Sequence, residues 1–526
     1  MINTATSSSW AKENAQWRSS YADILPKQID RLIIRIEKNK AKKETLSYHF
    51  ESMLRVFEQG LLHPDLATHL RLINLVRALH PLPIWWGKWT EWMHVLNKTT
   101  TIAQKANQID DQIWLELKQA EMLLSTGKGE EALAVAQKIL KIARIHHKFK
   151  IEFQSEMLLF TIQRYLGHIQ NPLNALEKLE KSLSEKKEHL SPNVAQKLDI
   201  EFSLKKSDIL QRHGHIEKAL ESSQHAYQLS EKLFDKKDLK MAQVHSRLGA
   251  NYWAKSEYEK SIAHYIQARR IFQLWGDQTS QIDSMGDMGL VYWSAAKYKK
   301  AEEILEKSIR MAEEVNARQW QTIQTGDLGV VSLSRGKLSR ATALIEQHLS
   351  LSILTNNHTE TERANSNIAN VQLFLGDFEE AYQRLKRSLR SVEGKRLEIA
   401  IGVVRAKVAW ALEGLGFQED AIKYAKSALT HANKINIPSL KILTLRAISE
   451  TTDNTEDRIR YAEEALEMAR KHSRPLNEAG ALLTLAEAKQ DDALREKAID
   501  ILENIGSEDW LKAPVVFRTL RLPLLL

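Results

Sequence analysis

A forty-residue repeat between Ser246 and Met311 constrains the fold of this chain more than any other feature. Six small or bulky positions of the first copy return in the second copy forty residues later. They are Leu248, Gly249, Tyr252, Ser261, Tyr265 and Ala268, followed by Met288, Gly289, Tyr292, Ala301, Leu305 and Ser308. Within each copy, apolar residues fall at helical spacing on both sides of a short polar turn. A fixed period of this length indicates an array of antiparallel helix pairs.

The same register extends over most of the chain as a series of small turn residues. They are Gly127, Gly167, Gly214, Ser256, Ala296, Gly336, Gly376 and Gly416, and each step after Ser256 is forty residues. Glycine suits the left-handed conformation that closes a first helix. A second series of small residues follows the turns, where the paired helices approach most closely. These residues are Ala132, Ala175, Ala219, Ser261, Ala301, Ala341, Ala381 and Ala421.

Composition narrows the class of protein. The chain is 43% apolar and 27% charged, which suits a largely helical protein. It has no cysteine, which excludes disulfides, thiolate metal sites and cysteine nucleophiles. The first residues lack the apolar core of a signal peptide, and no apolar run is long enough to span a bilayer. We therefore expect a cytoplasmic protein without a membrane partner.

The sequence carries no motif for catalysis. A glycine-rich phosphate loop ending in Gly-Lys-Ser/Thr is absent, and so are HExxH and GxSxG. The densest histidine pairs, His146 with His147 and His213 with His215, do not point at one centre. Carboxylates mostly alternate with Lys or Arg along helix faces, as on solvated helices. We expect a non-enzymatic protein that has neither a metal site nor a cofactor.

Three segments carry a resemblance to the tetratricopeptide repeat: LGANYWAKSEYEKSIAHYIQA, MGLVYWSAAKYKKAEEILEKS and NIANVQLFLGDFEEAYQRLKRS. The period is forty residues, whereas the family's usual period is about 34. With this forty-residue period, the chain resembles the C-terminal sensor arrays of STAND-type signal-transduction ATPases, including the maltose-responsive activator. The ATPase portion of those proteins is missing from this sequence. The resemblance covers roughly residues 65–509. It implies an all-α fold, a right-handed α-solenoid of tetratricopeptide-type helix pairs.

On this basis we divide the chain into four parts. These are a flexible N-terminus at 1–24, a helical cap with a divergent first repeat at 25–108, the repeat superhelix at 109–509 and an apolar C-terminal capping segment at 510–526. The last segment is expected to fold back onto the last repeat, and docking into a partner is the alternative. Four tryptophans between Trp85 and Trp92 either pack the cap onto its neighbour or form an aromatic recognition surface.

In the family, first helices line a concave groove, so the resemblance implies a protein or peptide partner bound there. The candidate binding residues are Trp253, Trp293, Asp287, Arg363, Asn367, Asn370 and Trp410. Trp253 and Trp293 occupy equivalent positions, where they either grip an apolar side chain or fill the seam between first helices. The two asparagines resemble those that hold a ligand backbone, and we expect them to face solvent in the free protein. Arg363 and Asp287 offer opposite charges for setting ligand direction.

The charge distribution leaves other functions open. The net charge is +8, although residues 450–509 alone carry sixteen acids and eight Lys or Arg. Basic clusters occur at Lys38–Lys43, Lys138–Lys150, Arg269–Arg270 and Arg384–Arg396. They are either solvated outer helix faces or contacts for nucleic acid. We favour a scaffold or sensor that binds a peptide and regulates a partner protein; a nucleic-acid-associated regulator and a small-ligand sensor are the alternatives.

Overall fold

The computed structural model is all-α over the part of the chain that it describes. Described are residues 23–38, 46, 49–355, 357–394, 398–435, 437–513 and 520–525, and these ranges contain no β-strand. The predicted flexible N-terminus lies almost entirely outside them, as do residues 514–519 and 526 of the predicted capping segment. None of the helices in these ranges combines the length and the apolar character that crossing a membrane requires.

The helices follow one another with short turns between them. Helices α1 to α12 are 23–38, Phe50–Leu61, Leu66–Leu79, Leu82–Trp85, Trp89–Lys105, Ile109–Ser125, Gly129–Ile145, Phe149–Tyr165, Pro172–Lys187, Pro192–Arg212, Ile216–Leu233 and Leu239–Ala254. Helices α13 to α25 are Tyr258–Trp275, Gln278–Ser294, Tyr298–Glu314, Arg318–Ser334, Leu338–Leu354, His358–Leu375, Phe378–Gly394, Glu398–Gly414, Gln418–Ile435, Pro438–Thr451, Thr455–Lys471, Pro475–Lys489 and Asp492–Ile505. A 3₁₀ helix, Glu508–Lys512, follows.

The chain divides into two compact units. The first unit comprises residues 1–202 and 270–280, and the second comprises 203–269 and 281–526. In the first unit, consecutive helices from α5 to α9 pack against one another. Trp85 and Trp92 are buried there, and the Trp86 ring packs edge-on against Phe50 with centroids 5.8 Å apart. These contacts favour a packing role for the tryptophan cluster.

The predicted turn residues do close the first helices in the left-handed conformation. All eight have a positive φ, from 54° at Ala296 to 84° at Gly376 and Gly416. This conformation is open to glycine at little cost and is strained for other residues. The forty-residue sequence register is therefore a register of helix–turn–helix units, and the predicted all-α solenoid of helix pairs is confirmed.

First and second helices differ in burial, as the second unit illustrates. In α16, a first helix, nearly every residue from Thr322 to Ser334 is buried. In α17, its partner, the buried residues recur once per turn, at Ala341, Ile345, His348 and Ser352. First helices contact their own partner and also the first helices of adjacent repeats, as α20 contacts α22. We call the face that the first helices of the second unit share the first-helix surface.

Paired helices approach through matched residue sizes sixteen positions apart. A Cβ added at Gly289 would lie 2.7 Å from the Leu305 side chain, and one at Gly329 would lie 2.8 Å from Ile345. Both distances are too short for carbon atoms, so the bulky residue of the second helix requires glycine on the first. The small-and-bulky pattern of the repeat is therefore a packing pattern.

Replacing Ala381 by leucine should lower the free energy of unfolding by roughly 1 to 3 kcal/mol through overpacking. Ala381 is fully buried at the start of α19, where extra methyl groups would push the paired helices apart. Lys386→Leu, at an exposed position of the same helix, is the matched control. Urea unfolding gives the difference, and hydrogen exchange should rise first in the adjacent repeats. Equal losses in both variants would contradict the packing argument.

The described part of the predicted capping segment extends well beyond the last repeat. The Trp510 indole N–H donates to the backbone oxygens of Leu333 and Ser334 at the end of α16. Further on, Arg521 pairs with Glu413 at the end of α20. We expected the segment to fold back onto the last repeat; its described residues also reach the first helices of earlier repeats. The described residues of the segment, 510–513 and 520–525, lie along the first-helix surface of the second unit.

Candidate functional site

One position on the first helices of the second unit carries a polar side chain in five successive repeats. These residues are Arg247, Asp287, Asp327, Asn367 and Lys407. The last three are buried and the first two are partly buried. Because buried polar groups are costly unless they are paired, such a series marks a surface where polar interactions are made.

Arg363 does not present a free positive charge to a ligand. Its guanidinium pairs with Asp327 and with Glu360, and it donates to the backbone oxygen of Ile323 at 2.7 Å. Glu360 is also bonded to His348 Nε2 at 3.0 Å. The network joins α16, α17 and α18, so the primary role of Arg363 in this structure is to connect adjacent repeats.

The surroundings of Asp287 disfavour its charged form. Burial, together with the nearby Asp283 carboxylate, raises the pKa of Asp287 well above the usual carboxyl range. The expectation that Arg363 and Asp287 set ligand direction as exposed opposite charges is therefore not supported by their surroundings. Both residues remain on the first-helix surface.

Asn367 and Asn370 are buried, contrary to the expectation that they face solvent. Asn370 is fully inaccessible and Asn367 is 7% exposed. Among the described residues, neither the nitrogen nor the oxygen of the Asn370 amide has a hydrogen-bond partner, and the Asn367 nitrogen has none either. The solvent expectation was wrong because the family register does not account for how closely the first helices of this unit are packed and covered.

Lys407 is the most deeply buried cation of this series, and sequence reasoning overlooked it together with Arg247 and Asp327. It is 2% exposed, and its ammonium donates to the Ser366 hydroxyl at 3.1 Å and to the Ser366 backbone oxygen at 3.3 Å. Burial lowers the pKa of Lys407 to about 7. The available signal was the equivalence of Lys407 with Asn367 in the forty-residue register.

Replacing Lys407 by methionine should raise the stability of the protein at pH 7 by roughly 2 kcal/mol. The pKa of this lysine is lower in the folded state than in the unfolded chain, so folding favours the neutral amine. The wild-type penalty is therefore full below about pH 7 and shrinks as the pH rises towards 10.5. Urea midpoints of both proteins between pH 7 and 10 measure it. A difference that does not narrow with pH would contradict the assignment.

Trp253 and Trp293 fill the seams between successive first helices. The Trp253 indole donates to the Ser294 hydroxyl at 2.9 Å, and the Trp293 indole donates to the Ser334 hydroxyl at 2.7 Å. Each bond reaches the next first helix, 41 residues further on. This arrangement matches the seam-filling interpretation. Trp293 also lines a small cleft together with Leu525 and the start of α24.

Trp410 is fully buried, beneath the described part of the C-terminal segment. Its ring lies edge-on to Phe374, with centroids 6.0 Å apart, and the Arg521 guanidinium lies 5.3 Å from its centroid. Arg446 of α22 is buried beside the same segment and donates to the backbone oxygen of Leu522 at 2.7 Å. Sequence reasoning missed Arg446 and Arg521, and an arginine within an otherwise apolar stretch was the signal in each case.

The described residues contain no group of three or more His, Asp or Glu side chains that could hold a metal ion.

The tetratricopeptide repeat family model matches residues 240–314, which include the two repeat copies of the sequence. The chain contains tetratricopeptide repeats. In this repeat array, the matched residues span nearly all of α12 and the whole of α13, α14 and α15. No curated protein is significantly similar to the chain in sequence.

Several solved structures resemble the repeat array at low identity. A Rap protein complexed with Competence and Sporulation Factor is 13% identical, with 67% of this chain and 99% of that chain covered and a TM-score of 0.45. The quorum sensor NprR from B. thuringiensis in its apo form is 13% identical, with coverages of 63% and 95% and a TM-score of 0.41. A STAND protein with a tetratricopeptide repeat sensor from Pyrococcus horikoshii is 12% identical, with coverages of 85% and 88% and a TM-score of 0.39.

Proposed function

We propose that the chain is a non-enzymatic scaffold or sensor that binds a protein segment or peptide along the first-helix surface and thereby regulates a partner protein. The tetratricopeptide match supports a binding module in general terms. The observation that carries the proposal is that this surface already holds an extended stretch of polypeptide, residues 520–525.

Two buried asparagines support the same surface. A side-chain amide can both donate to and accept from an extended backbone, so it can hold peptides of varied sequence. Asn370 keeps both of its polar atoms without a partner among the described residues, at a cost to folding. A residue that is unfavourable for stability on a binding surface is best explained by what it contributes when a ligand is bound.

A selection from displayed random decapeptides tests this function on the full chain. Recovered peptides are labelled and titrated by fluorescence anisotropy against the wild type and against Asn370→Leu. We expect the substitution to weaken binding at least tenfold. The control, Arg387→Ala with Arg390→Ala, removes two exposed cations from the second helix α19 and should change affinity less than twofold. Binders that depend on the two arginines and not on Asn370 would place the site on the outer face.

Asn370→Leu should also raise the free energy of unfolding, by roughly 1 to 2 kcal/mol, because it removes an unpaired buried amide. The matched variant Asn251→Leu should lower the same free energy by a similar amount. Asn251 is equally buried, and its amide donates to the Ser207 hydroxyl at 2.8 Å and to the Ser223 hydroxyl at 2.7 Å. Thermal and urea unfolding measure both. A loss of stability in both variants would mean that Asn370 is paired in solution.

A further inference from the structure

Residues 520–525 lie in the second unit as a bound peptide would. They form no helix or strand, and Leu522 and Leu524 are fully inaccessible to solvent. Among the described residues, no backbone-to-backbone hydrogen bond involves this stretch. The segment is therefore held by side chains of the first helices, and it does not extend any regular element of the fold.

The backbone of the segment is recognised by Arg446. One guanidinium nitrogen donates to the Leu522 oxygen at 2.7 Å, and another is 3.4 Å from the Pro523 oxygen. Arg446 is itself positioned by the Glu450 carboxylate at 3.0 Å and by the Asn477 side-chain oxygen at 2.9 Å. A rigid planar donor that bonds two successive carbonyl oxygens binds an extended backbone whatever its side chains are.

Glu413 supplies the sequence-dependent contact. Its carboxylate accepts hydrogen bonds from both terminal nitrogens of Arg521, one of them at 2.7 Å. A guanidinium satisfies this paired geometry, whereas an ammonium cannot. The side chains of Arg521 and Glu413 are 1% and 5% exposed. A pair so completely removed from water discriminates strongly, because removing one partner leaves the other charge buried alone.

Glu413 departs from the repeat pattern, which has an apolar residue at this position. The positions equivalent to Glu413 in the four preceding repeats are Trp253, Trp293, Leu333 and Leu373, all apolar. A carboxylate at a buried apolar position destabilises the helix pair unless a cation neutralises it. Packing within the repeats does not require an acid here, whereas a guanidinium ligand does.

We propose that Glu413 and Arg446 form a binding site for extended peptides that carry an arginine followed by leucines one and three positions later, and that residues 521–525 are its internal occupant. The partner is a protein segment of the same chemistry, which displaces the internal one. This inference rests on the proposed peptide-binding function and adds a sequence class and competition by the chain itself. The nitrogen and oxygen contacts above are those that the partner segment would take over.

The probe is the labelled peptide LRLPLL, the sequence of residues 520–525, titrated by anisotropy against full-length proteins. The wild type should bind weakly, because its site is filled. A chain carrying Arg521→Ser, Leu522→Ser and Leu524→Ser should bind at least tenfold more tightly. Adding Glu413→Gln to that chain should reverse the gain, and the control peptide LALPLL should bind every protein at least tenfold more weakly than LRLPLL binds the emptied chain. Equal affinity for the two peptides would overturn the arginine specificity.

A second measurement needs no substitution and so does not depend on the folding of the variants. In the wild type, excess LRLPLL should speed hydrogen exchange at the amides of Leu522, Leu524 and Leu525 at least tenfold, whereas excess LALPLL should not. Unchanged exchange would overturn displacement. If selected decapeptides bind through Asn370 while LRLPLL neither binds nor displaces, the peptide-binding function stands and this site is wrong. If LRLPLL binds and displaces but no decapeptide binds through Asn370, this site holds and the role proposed for Asn370 is wrong. If no peptide binds, both proposals are wrong.

Discussion

Replacing Arg446 by methionine is expected to lower the free energy of unfolding by about 3 to 5 kcal/mol. Arg446 is fully buried and forms an ion pair with the Glu450 carboxylate at 3.0 Å; Glu450 is 3% exposed. Its loss leaves that carboxylate buried beside the Leu522 and Pro523 oxygens that Arg446 also bonds. Urea unfolding monitored by circular dichroism at pH 7 measures the change.

The double variant Arg446→Met with Glu450→Met is the control for this loss. An apolar pair of similar volume avoids the cost of an isolated buried charge, so the double variant should recover at least half of the stability. The recovered protein should still lack the bonds to the Leu522 and Pro523 oxygens, and hydrogen exchange at the Leu522 and Leu524 amides should remain fast. A double variant as unstable as the single one would mean that packing against Gly480, and not charge, dominates at Arg446.

Replacing Trp510 by alanine is expected to lower the free energy of unfolding by about 3 to 5 kcal/mol. The indole is fully buried, lies with its centroid 4.6 Å from that of Phe374, and donates to two backbone oxygens at the end of α16. Alanine would leave a cavity and two carbonyls without their donor. Thermal unfolding and urea titration measure the loss.

Trp510→Phe separates the two contributions. Phenylalanine keeps part of the contact with Phe374 but loses the N–H and one ring of the indole, so the expected cost lies below that of alanine, at roughly 2 to 3 kcal/mol. Hydrogen exchange in the alanine variant should rise at the end of α16 as well as near residue 510, since Trp510 joins the two. A local effect restricted to residues 505–513 would show that the contact with α16 contributes little.

The repeat architecture was predictable because its determinants are local. Turn residues such as Ala296 and Gly376 recur at a fixed step, and each marks a turn where the structure has a left-handed backbone. The sixteen-residue spacing between Gly289 and Leu305 likewise states which side chains of one pair meet. Periodicity of this kind relates each residue to its own repeat and to the next. It was therefore sufficient to predict the helix pairs and their turns.

The site was not predictable in the same way. Arg521 and Glu413 are 108 residues apart in sequence, so no period of forty residues relates them. The family register placed Asn370 and Trp410 on the correct helices, yet it could not tell that both are buried in this unit. A repeat register predicts which face of a helix a residue occupies. It does not predict what covers that face, because the covering segment does not belong to the repeats.

The contact of Trp510 with Leu333 has a consequence for how the second unit folds during synthesis. Helix pairs that touch only their neighbours can form one after another as they leave the ribosome. The hydrogen bond from Trp510 closes a loop of 177 residues. The loop can close, at its entropic cost, only after Trp510 has been synthesised. Until then the end of α16 is not covered by the Trp510 indole. The slowest step in the folding of this unit should therefore be the arrival of its latest-made helix, and chaperone demand should peak there.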